Sequence, residues 1–533
     1  MIRHDPGLSA FRRPYGAAET GAPLYLACES DAQAVTLRLW SDTESREIPL
    51  SREGTLFSAE LTAPAESGVL FYCFAAEGEE SGVQQITVYR PAPVPEWYKD
   101  AICYQIFPDR FARERDYTPR QPSPRRGTHR FLVPDWDTPP FYPRAEDDSV
   151  SAWPFWGGTL RGIGEKIPYL RSLGVSCLYL NPIFAASSNH RYDTADYFEI
   201  DPMLGTTEDF ERLCADCAGA GIRIILDGVF SHTGADSRYF DKFGNYGTAE
   251  RYREWYRFGE QYTHGYECWW DVPDLPNVDE LNESYREFIC GEDGVLRYWL
   301  RHGASGWRLD VADELPDEFI RAVRAAVKAE KSDAVLLGEV WEDASNKCSY
   351  GVRREYFGGE ELDGTMHYPF RSAVLDFLTG NCGAPEAAEA LETLHRNYPP
   401  ENLYAALNLV GSHDRERALT LLHGDREKMK LLYVLQCACP GVPCIYYGDE
   451  AGAMGGADPY NRAPFPWGRE DAELLEHYRA VSRWYLEHPA LRSGGWEIFA
   501  EGEDVLVSRR RDEHETVTVW VDRKSSVWSW KCE

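Results

Sequence analysis

The chain has 533 residues, enough for about two to four domains, and its 43% hydrophobic and 13% aromatic content excludes disordered and fibrous proteins. A formal net charge of −31 argues against nucleic acid as a partner, because binding phosphates requires a basic surface. The first residues form no apolar signal segment and no run of about eighteen apolar residues occurs, so we expect a cytoplasmic protein with no membrane partner.

The first region, residues 1–95, contains short alternating runs such as AVTLRLW and GVLFYCFAA, separated by polar, glycine and proline turns. Strands with one buried face produce this alternation, and nothing in the region is long enough to predict a helix. We therefore expect an N-terminal β-sandwich, followed by the stiff proline-rich linker PAPVPE.

Residues 96–490 show a different sequence pattern, in which short apolar runs alternate with amphipathic stretches long enough to form helices. The helical stretches include EDFERLCADCAGAG, PDEFIRAVRAAVKAE and EKMKLLYVLQCA. The eight candidate strands are AICYQIF, VSCLYLNPIF, IRIILDGVF, GWRLDVA, AVLLGEVW, TMHYPF, LYAALNLVGSHD and PCIYYGDE. Eight such units predict an α/β fold of the (β/α)8 TIM-barrel type, whose active site lies at the carboxyl ends of the strands.

Two further segments complete the predicted organisation. Residues 233–282, after the third strand, are rich in tyrosine and tryptophan and too long for an ordinary connection, which predicts an inserted subdomain. Residues 491–533 alternate again, as in DVLVSRR and ETVTVWVD, and predict a short C-terminal β-element. The run ENLYAALNLV fits a helix and a strand equally well by periodicity.

Three acidic residues close predicted strands: Asp310 in GWRLDVADE, Glu339 in LLGEVW and Asp414 in NLVGSHD. A carboxylate at the mouth of a barrel is costly to bury, so one such residue means little but three predict a site. Other polar residues near strand ends extend the cluster, although each alone would more often be structural: Asp227, His232, Arg308 and His413.

This combination suits the cleavage of glycosidic bonds. One carboxylic acid protonates the departing oxygen while a second carboxylate attacks the anomeric carbon, and neighbouring barrel strands can hold such a pair. Arg308 lies two residues before Asp310 on one strand, so both side chains point the same way and the guanidinium should favour an ionised Asp310. Glu339 is then the candidate acid.

The fourteen cysteines are scattered and include no paired CxxC spacing. Neither Cys214 and Cys217 nor Cys437 and Cys439 have histidine or cysteine partners nearby in the sequence. We therefore expect buried thiols and predict no metal-ligating residue.

The motifs LDGVFSH, GWRLDVADE, GEVW and NLVGSHD resemble the four short conserved regions of the α-amylase family (glycoside hydrolase family 13), in the same order. The resemblance extends to YQIFPDRF, HRYDTADYFEIDP and PGVPCIYYGDEAG, and covers residues 98–470. It implies that Asp310 is the nucleophile, Glu339 the general acid/base and Asp414 the third acid, which binds hydroxyls of the reacting sugar. It also implies further substrate-site residues: Tyr192, Asp227 in support of Arg308, His232, Arg308, Trp341, His413, Asp458 and Arg462.

The N-terminal domain and the segment LPNVD resemble the neopullulanase, cyclomaltodextrinase and maltogenic amylase branch of this family, although Asn277 and Asp279 depart from its usual pattern. The resemblance implies a retaining α-glucan hydrolase that cleaves α-1,4 glucosidic bonds, with α-1,6 bonds as a further option, in maltodextrins, cyclodextrins, starch or pullulan. It further implies a homodimer formed through the N-terminal domain, where Trp40 and Trp97 are either sugar platforms or packing residues.

No cofactor is required by this chemistry. Calcium is compatible with the sequence but not demanded by it, because Ser231 stands where many members of the family have asparagine, and a hydroxyl is a weaker calcium ligand than an amide carbonyl. Two alternatives stay open at this point. One is a transglycosylase or isomerase acting on malto-oligosaccharides, and the other is a non-catalytic sugar-binding relative.

Overall fold

The computed structural model describes residues 2–118, 120, 129–146 and 149–533. Its centre is a parallel eight-stranded sheet in which the strands neighbour one another in sequence order and the eighth pairs with the first. A bridge between Met366 and Leu407 joins the sixth and seventh strands, so the sheet closes into the predicted (β/α)8 barrel. The strands are Cys103–Ile106, Cys177–Leu180, Arg223–Gly228, Gly306–Leu309, Val335–Gly338, Gly364–Thr365, Leu407–Leu409 and Val442–Tyr446.

The sixth and seventh units differ in detail from the prediction. The sixth strand is only Gly364–Thr365, and the second half of TMHYPF opens the helix Tyr368–Thr379 with a proline in its first turn. The ambiguous run ENLYAALNLV divides into a short helix, Pro400–Tyr404, and the strand Leu407–Leu409. Periodicity alone did not separate these states because both segments are largely buried.

Helices surround the barrel and bury one apolar face each against it. At the start of the helix Thr207–Gly219, Thr206 and Asp209 form a capping box. The same helix buries Phe210, Cys214 and Cys217, so these two closely spaced cysteines are buried thiols, as expected. The other helices are Glu96–Lys99, Pro108–Phe111, Leu160–Glu165, Ile167–Ser172, Glu283–Cys290, Val295–Arg301, Asp317–Glu330, Ala384–Asn397, Ala418–Leu421, Arg426–Ala438, Ala472–Glu487 and Pro489–Ser493.

The N-terminal region folds into two antiparallel-rich sheets with a shared apolar core. Its strands are Ile2–Arg3, Arg12–Arg13, Ala18–Glu19, Pro23–Ser30, Thr36–Trp40, Ser45–Pro49, Ser51–Glu53, Leu56–Thr62, Gly68–Ala76, Glu79–Glu80 and Gln84–Tyr89. This domain contacts the barrel loop that follows the fifth strand. Gln85 Nε2 donates to Ser345 Oγ at 2.8 Å, and Arg353 Nε contacts Asp42 at 2.6 Å.

The two tryptophans considered as sugar platforms have different settings. Trp97 lies beyond the sandwich, where its indole donates to the carbonyl of Asp333 at 2.8 Å and packs under the barrel beneath Arg223. Trp40 stacks on Phe71 at 6.0 Å between ring centroids, on the sandwich. The packing interpretation therefore accounts for the position of Trp97.

The inserted region after the third strand contains three 3-10 helices, Ala249–Arg251, Arg253–Trp255 and Trp269–Asp271. Isolated bridges such as His232 with Asn277 attach it to the barrel. Short two-stranded sheets occur in other loops: Arg130–Leu132 with Trp153–Phe155, Phe184–Ala186 with Thr194–Ile200, and Cys348–Ser349 with Val352–Arg353.

The chain ends in a four-stranded antiparallel sheet, Gly495–Ala500, Val505–Arg511, Thr516–Asp522 and Val527–Cys532. It packs on the barrel through Trp496, which lies against His395, and through Ser508, whose hydroxyl donates to the carbonyl of Ala438 at 2.8 Å. Across the described ranges, no helix combines the length and the apolar content needed to cross a bilayer.

Candidate active site

A cleft of about 880 Å³ opens at the carboxyl ends of the barrel strands. Its walls are the inserted region, the loop after the fifth strand and the loop after the eighth strand. All the predicted site residues except Asp227 and Arg308 line it: Tyr192, His232, Asp310, Glu339, Trp341, His413, Asp414, Asp458 and Arg462. The structure thus gathers residues from widely separated parts of the sequence.

Arg308 organises the floor of the cleft. Its guanidinium is fully buried, with Nη1 at 2.6 Å from Asp227 Oδ1 and 2.8 Å from Asp310 Oδ1, and Nη2 at 2.8 Å from Glu339 Oε2. Strand pairing explains the arrangement, because Asp227 is the direct parallel neighbour of Arg308 and side chains at alternate positions share one face. One cation therefore holds three carboxylates from three neighbouring strands.

The electrostatics of this cluster leave it with excess negative charge. Burial raises the pKa of Asp310 well above its usual range, and the nearby Glu339 adds to this, while Arg308 opposes it. Burial likewise raises the pKa of Asp227. Arg308 thus acts in the direction expected from the sequence, but desolvation outweighs it. Burial therefore makes both Asp310 and Asp227 harder to ionise than an ordinary aspartate.

Asp227 is held from behind as well as from the side. Its Oδ2 accepts hydrogen bonds from the hydroxyls of Tyr179 at 2.6 Å and Tyr192 at 2.8 Å. Both Asp227 and Arg308 are buried and lie behind the cleft wall. They support the carboxylates that face the cleft and do not reach it themselves.

His413 and Tyr192 form a stacked pair, with ring centroids 5.2 Å apart and an interplanar angle of 3°. The side-chain amides of Gln105 and Asn181 face His413 Nδ1 at 3.0 and 3.2 Å, so Nδ1 accepts and the proton is on Nε2. Nε2 lies 3.1 Å from Asp414 Oδ2. Burial, with the charges of Arg462 and Arg308, lowers the pKa of His413 well below its usual value, which keeps the ring neutral.

One wall of the cleft is built on Arg462. Its Nη1 contacts Asp458 Oδ1 at 3.0 Å, and its Nη2 lies 3.7 Å from Asp414 Oδ1. Tyr142 donates to the same Asp458 oxygen at 3.0 Å. Burial raises the pKa of Asp414, and Arg462 opposes that rise. Asp414 and Asp458 therefore share one arginine, and the second carboxylate oxygen of Asp414 faces His413.

Glu339 is fixed by donors from two sides. The backbone N–H of Val311 donates to Oε2 at 2.8 Å, and the indole of Trp341 donates to Oε1 at 3.1 Å. Val311 has a φ of 38°, a left-handed conformation that is unfavourable for a β-branched residue. This strained turn, directly after Asp310, is what directs its N–H at Glu339. Trp341 also stacks on Tyr368 at 4.1 Å, so it is both a packing residue and a cleft wall.

His232 occupies the opposite side of the cleft floor, beside the inserted region. Its Nδ1 is 2.9 Å from Ser231 Oγ, and its buried Nε2 has no hydrogen-bond partner among the described residues. Burial lowers the pKa of His232 to about 3, so the ring is neutral. His232 is therefore a neutral imidazole in the wall of the cleft.

Several residues in and around the cleft were not predicted from the sequence. Gln105 and Asn181 had a usable signal, because each is a polar residue inside or directly after an apolar strand. The aromatic residues of the outer wall had none, because they come from long loops whose placement depends on tertiary contacts. These cleft residues are Trp269, Trp270 and Tyr350, whereas His190 opens the motif HRYDTADYFEIDP and so did have a signal.

Comparison with known proteins identifies relatives across nearly the whole chain. Residues 105–529 match the family model described as the catalytic domain of alpha amylase. A cyclomaltodextrinase of Geobacillus thermopakistaniensis is 35% identical over 87% of this chain and 74% of its own length. An amylopullulanase of Thermoanaerobacterium saccharolyticum is 32% identical over 96% of this chain but only 46% of its own length. The chain thus spans less than half of the amylopullulanases that it matches.

Among solved structures, the cyclic α-maltosyl-(1→6)-maltose hydrolase of Arthrobacter globiformis matches with a TM-score of 0.71 and 34% identity. The match covers 81% of this chain and 92% of that one. Together with the cyclomaltodextrinase, this structure confirms the resemblance that the sequence motifs indicated.

Proposed function

The chain belongs to the α-amylase family of glycoside hydrolases, and on that premise we propose that it hydrolyses α-1,4-glucosidic bonds, and α-1,6 bonds as well, with retention of anomeric configuration. Its substrates in this proposal are maltodextrins, cyclodextrins, starch or pullulan. The relatives described above support this choice, since they are named amylopullulanase, cyclomaltodextrinase and cyclic α-maltosyl-(1→6)-maltose hydrolase. The observation that carries the proposal is that Arg308, buried behind an open cleft, pairs with Asp310 and Glu339, which line that cleft, and with Asp227.

In the first step Asp310 attacks the anomeric carbon and forms a glycosyl ester, while Glu339 gives a proton to the departing oxygen. The ion pair with Arg308 favours an ionised Asp310, the form that attacks. The hydrogen bonds of Glu339 to Val311 and Trp341 hold it at the edge of the cleft, where the leaving oxygen must lie.

In the second step Glu339 removes a proton from water, and that water attacks the anomeric carbon from the face that the leaving group vacated, which breaks the bond to the Asp310 carboxylate. Two inversions restore the original configuration, and Glu339 regains the proton that it gave up in the first step. Asp414 and His413 bind hydroxyls of the reacting sugar, with Arg462 keeping Asp414 in place. The face of Tyr192, stacked on His413, carries the sugar ring.

The stereochemical course tests this mechanism. Proton NMR in the first minutes of maltotriose hydrolysis should show new reducing ends as the α-anomer, before mutarotation mixes the two forms. Initial accumulation of the β-anomer would require direct attack by water and would overturn Asp310 as nucleophile.

Hydrolysis and transfer use the same glycosyl ester and differ only in which acceptor attacks it. Chromatography of the maltotriose products separates the two, because chains longer than the substrate arise only by transfer. Predominantly shorter products are expected for a hydrolase. A sugar-binding relative without chemistry would give no products at all, and its cleft would have no need of three carboxylates clamped on one arginine.

We further propose a homodimer formed through the N-terminal domain, as the branch resemblance implies. Light scattering should then give a mass of about twice 60.7 kDa. A chain beginning near Pro95 should be monomeric and should lose its preference for cyclodextrin over starch. If truncation instead lowers stability and all activities together, the domain only supports the barrel, which it contacts through Gln85 and Ser345.

Metal ions have no step in this mechanism, and we propose that catalysis is independent of calcium. The hydroxyl of Ser231 is engaged with His232, which leaves the expected weak ligand already partnered. Activity measured with and without added calcium should therefore be equal. A cytoplasmic location stays a prediction from the sequence.

A further inference from the structure

A cluster of metal-binding side chains lies in the inserted region, on the outer side of the cleft wall. One ligand atom each from His264, Cys268 and Asp271 lies within 4.8 Å of the others. His264 Nε2 is 3.8 Å from the side-chain oxygen Oδ1 of Asp271, which is too long for a hydrogen bond between these two atoms. The sequence predicted no metal site here, because a histidine, a cysteine and an aspartate at this spacing match none of the usual ligand motifs.

The backbone brings these residues together at a cost. Trp270 and Asp271 are consecutive left-handed residues, with φ values of 49° and 61°, a conformation that non-glycine residues adopt rarely and often at functional positions. At this turn His264 Nε2 donates to the carbonyl oxygen of Asp271 at 3.2 Å.

From this geometry we propose that His264, Cys268 and Asp271 form a binding site for a divalent transition-metal ion of the zinc class. Imidazole nitrogen, thiolate sulfur and carboxylate oxygen are the donors that such ions prefer, whereas calcium and magnesium take oxygen alone. Three protein ligands leave the fourth position of a tetrahedral ion to water.

Binding changes the protonation of two ligands. The Cys268 thiol loses its proton to solvent as the metal–sulfur bond forms. His264 exchanges its hydrogen bond to the Asp271 carbonyl for the ion, and its ring proton moves to Nδ1. The nearby Asp274 adds negative charge, while Lys242 is a cation close to Cys268 and donates to Tyr266 at 3.0 Å.

The position of the site connects it with the cleft. Cys268 and Asp271 bracket Trp269 and Trp270, and both indoles line the cleft. The side chain of Trp270 is largely exposed and is held by a hydrogen bond from its indole to Glu314 at 2.7 Å. An ion bound to the bracketing residues would therefore fix the turn that presents these two indoles.

The test uses the full chain, stripped of metal with a chelator and titrated with Co²⁺ and Zn²⁺. A second trio, His488, Glu515 and Cys532, has ligand atoms equally close, so the experiment is carried out in a Cys532→Ser background. We expect one Co²⁺ per chain, with the near-ultraviolet absorption of a cobalt–thiolate bond, displaced by Zn²⁺. Cys268→Ser should abolish that absorption and weaken Zn²⁺ binding at least about tenfold.

Cys348→Ser is the matched control, because Cys348 is an exposed cysteine on the facing loop. It should leave the absorption intact, and circular dichroism should show that every variant is folded. Adding Zn²⁺ should also change the tryptophan fluorescence of the parent. The change should be smaller in Trp270→Phe. The proposal is overturned if the parent shows no cobalt–thiolate absorption, or if the absorption survives Cys268→Ser.

Discussion

The two ends of the barrel interior contain different chemistry on the same strands. At the amino end the inward side chains are thiols and aliphatic groups, among them Cys103, Cys177 and Cys444, which are direct strand neighbours. At the carboxyl end the inward-facing positions of the same strands are occupied by carboxylates and Arg308. Outward side chains at both ends, such as Tyr104 and Trp307, pack against the helices.

This difference separates residues that stabilise the fold from residues that catalyse the reaction, at opposite ends of the same barrel strands. The amino end gains free energy from apolar burial, whereas the carboxyl end holds excess negative charge that burial makes costly. Changes at the amino end should therefore alter stability and leave turnover intact. Changes at the carboxyl end should do the opposite, and the following variants test that division.

The largest effect is expected for Asp310→Asn. An amide cannot form the glycosyl ester, so kcat on maltotriose should fall by about four powers of ten or more. Because the change also removes one of three crowded carboxylates, the free energy of unfolding should stay the same or rise. Asp293→Asn makes the same substitution at a fully exposed site and should change neither quantity. If Asp310→Asn lowered the free energy of unfolding as well as kcat, the proposed difference between the two ends of the barrel would be wrong.

Arg308→Met should have the next largest effect, through positioning rather than contact with substrate. Removing the cation raises the pKa of Asp310 and Asp227 further, since Arg308 is the group that lowers both. The acidic limb of the pH–rate profile should therefore move to higher pH, and kcat should fall by about two powers of ten. Arg308→Lys should recover part of the shift. A pH profile that is merely scaled down would indicate a structural role alone.

Glu450→Gln should alter how stability depends on pH. Glu450 is buried near the carboxyl end of the eighth strand, where burial raises its pKa to about 7 from 4.5, although the hydroxyls of Tyr104 and Tyr169 donate to it. The folded protein thus binds this proton more tightly than the unfolded chain does. Its stabilising contribution is complete below pH 4.5 and is lost as the pH rises to about 7. Unfolding measured across this range should give a flatter curve for the variant, and parallel curves would contradict the assignment.

The smallest effect is expected at the amino end, for Cys177→Ala. Replacing a fully buried thiol by a methyl group leaves a small cavity, which should cost about 1 kcal/mol in the free energy of unfolding. Turnover should not change, because the thiol lies a strand's length from the carboxylates. Chemical denaturation and kcat on maltotriose measure the two quantities. A loss of kcat without a loss of stability would contradict the separation.

The sequence predicted the parts of the molecule that follow local rules. Strand-end residues such as Asp310 and Glu339 could be found because a charge that closes an apolar barrel strand is costly unless it serves a site. The short length of the sixth strand could not be predicted, since the residues that follow it are as buried in their helix as they would be in a strand. Trp270 and Tyr350 reach the cleft from loops whose paths depend on tertiary contacts. Nor does a motif report that burial outweighs Arg308 in setting the pKa of Asp310.

The most direct test of the central claim is to trap the glycosyl ester. In Glu339→Gln, an α-glycosyl fluoride should still react, because fluoride departs without an acid, while the second step lacks its base and the ester accumulates. Mass spectrometry of a proteolytic digest should then find one added glycosyl group on the peptide that contains Asp310. An adduct on another residue, or none while the fluoride is consumed, would contradict the account.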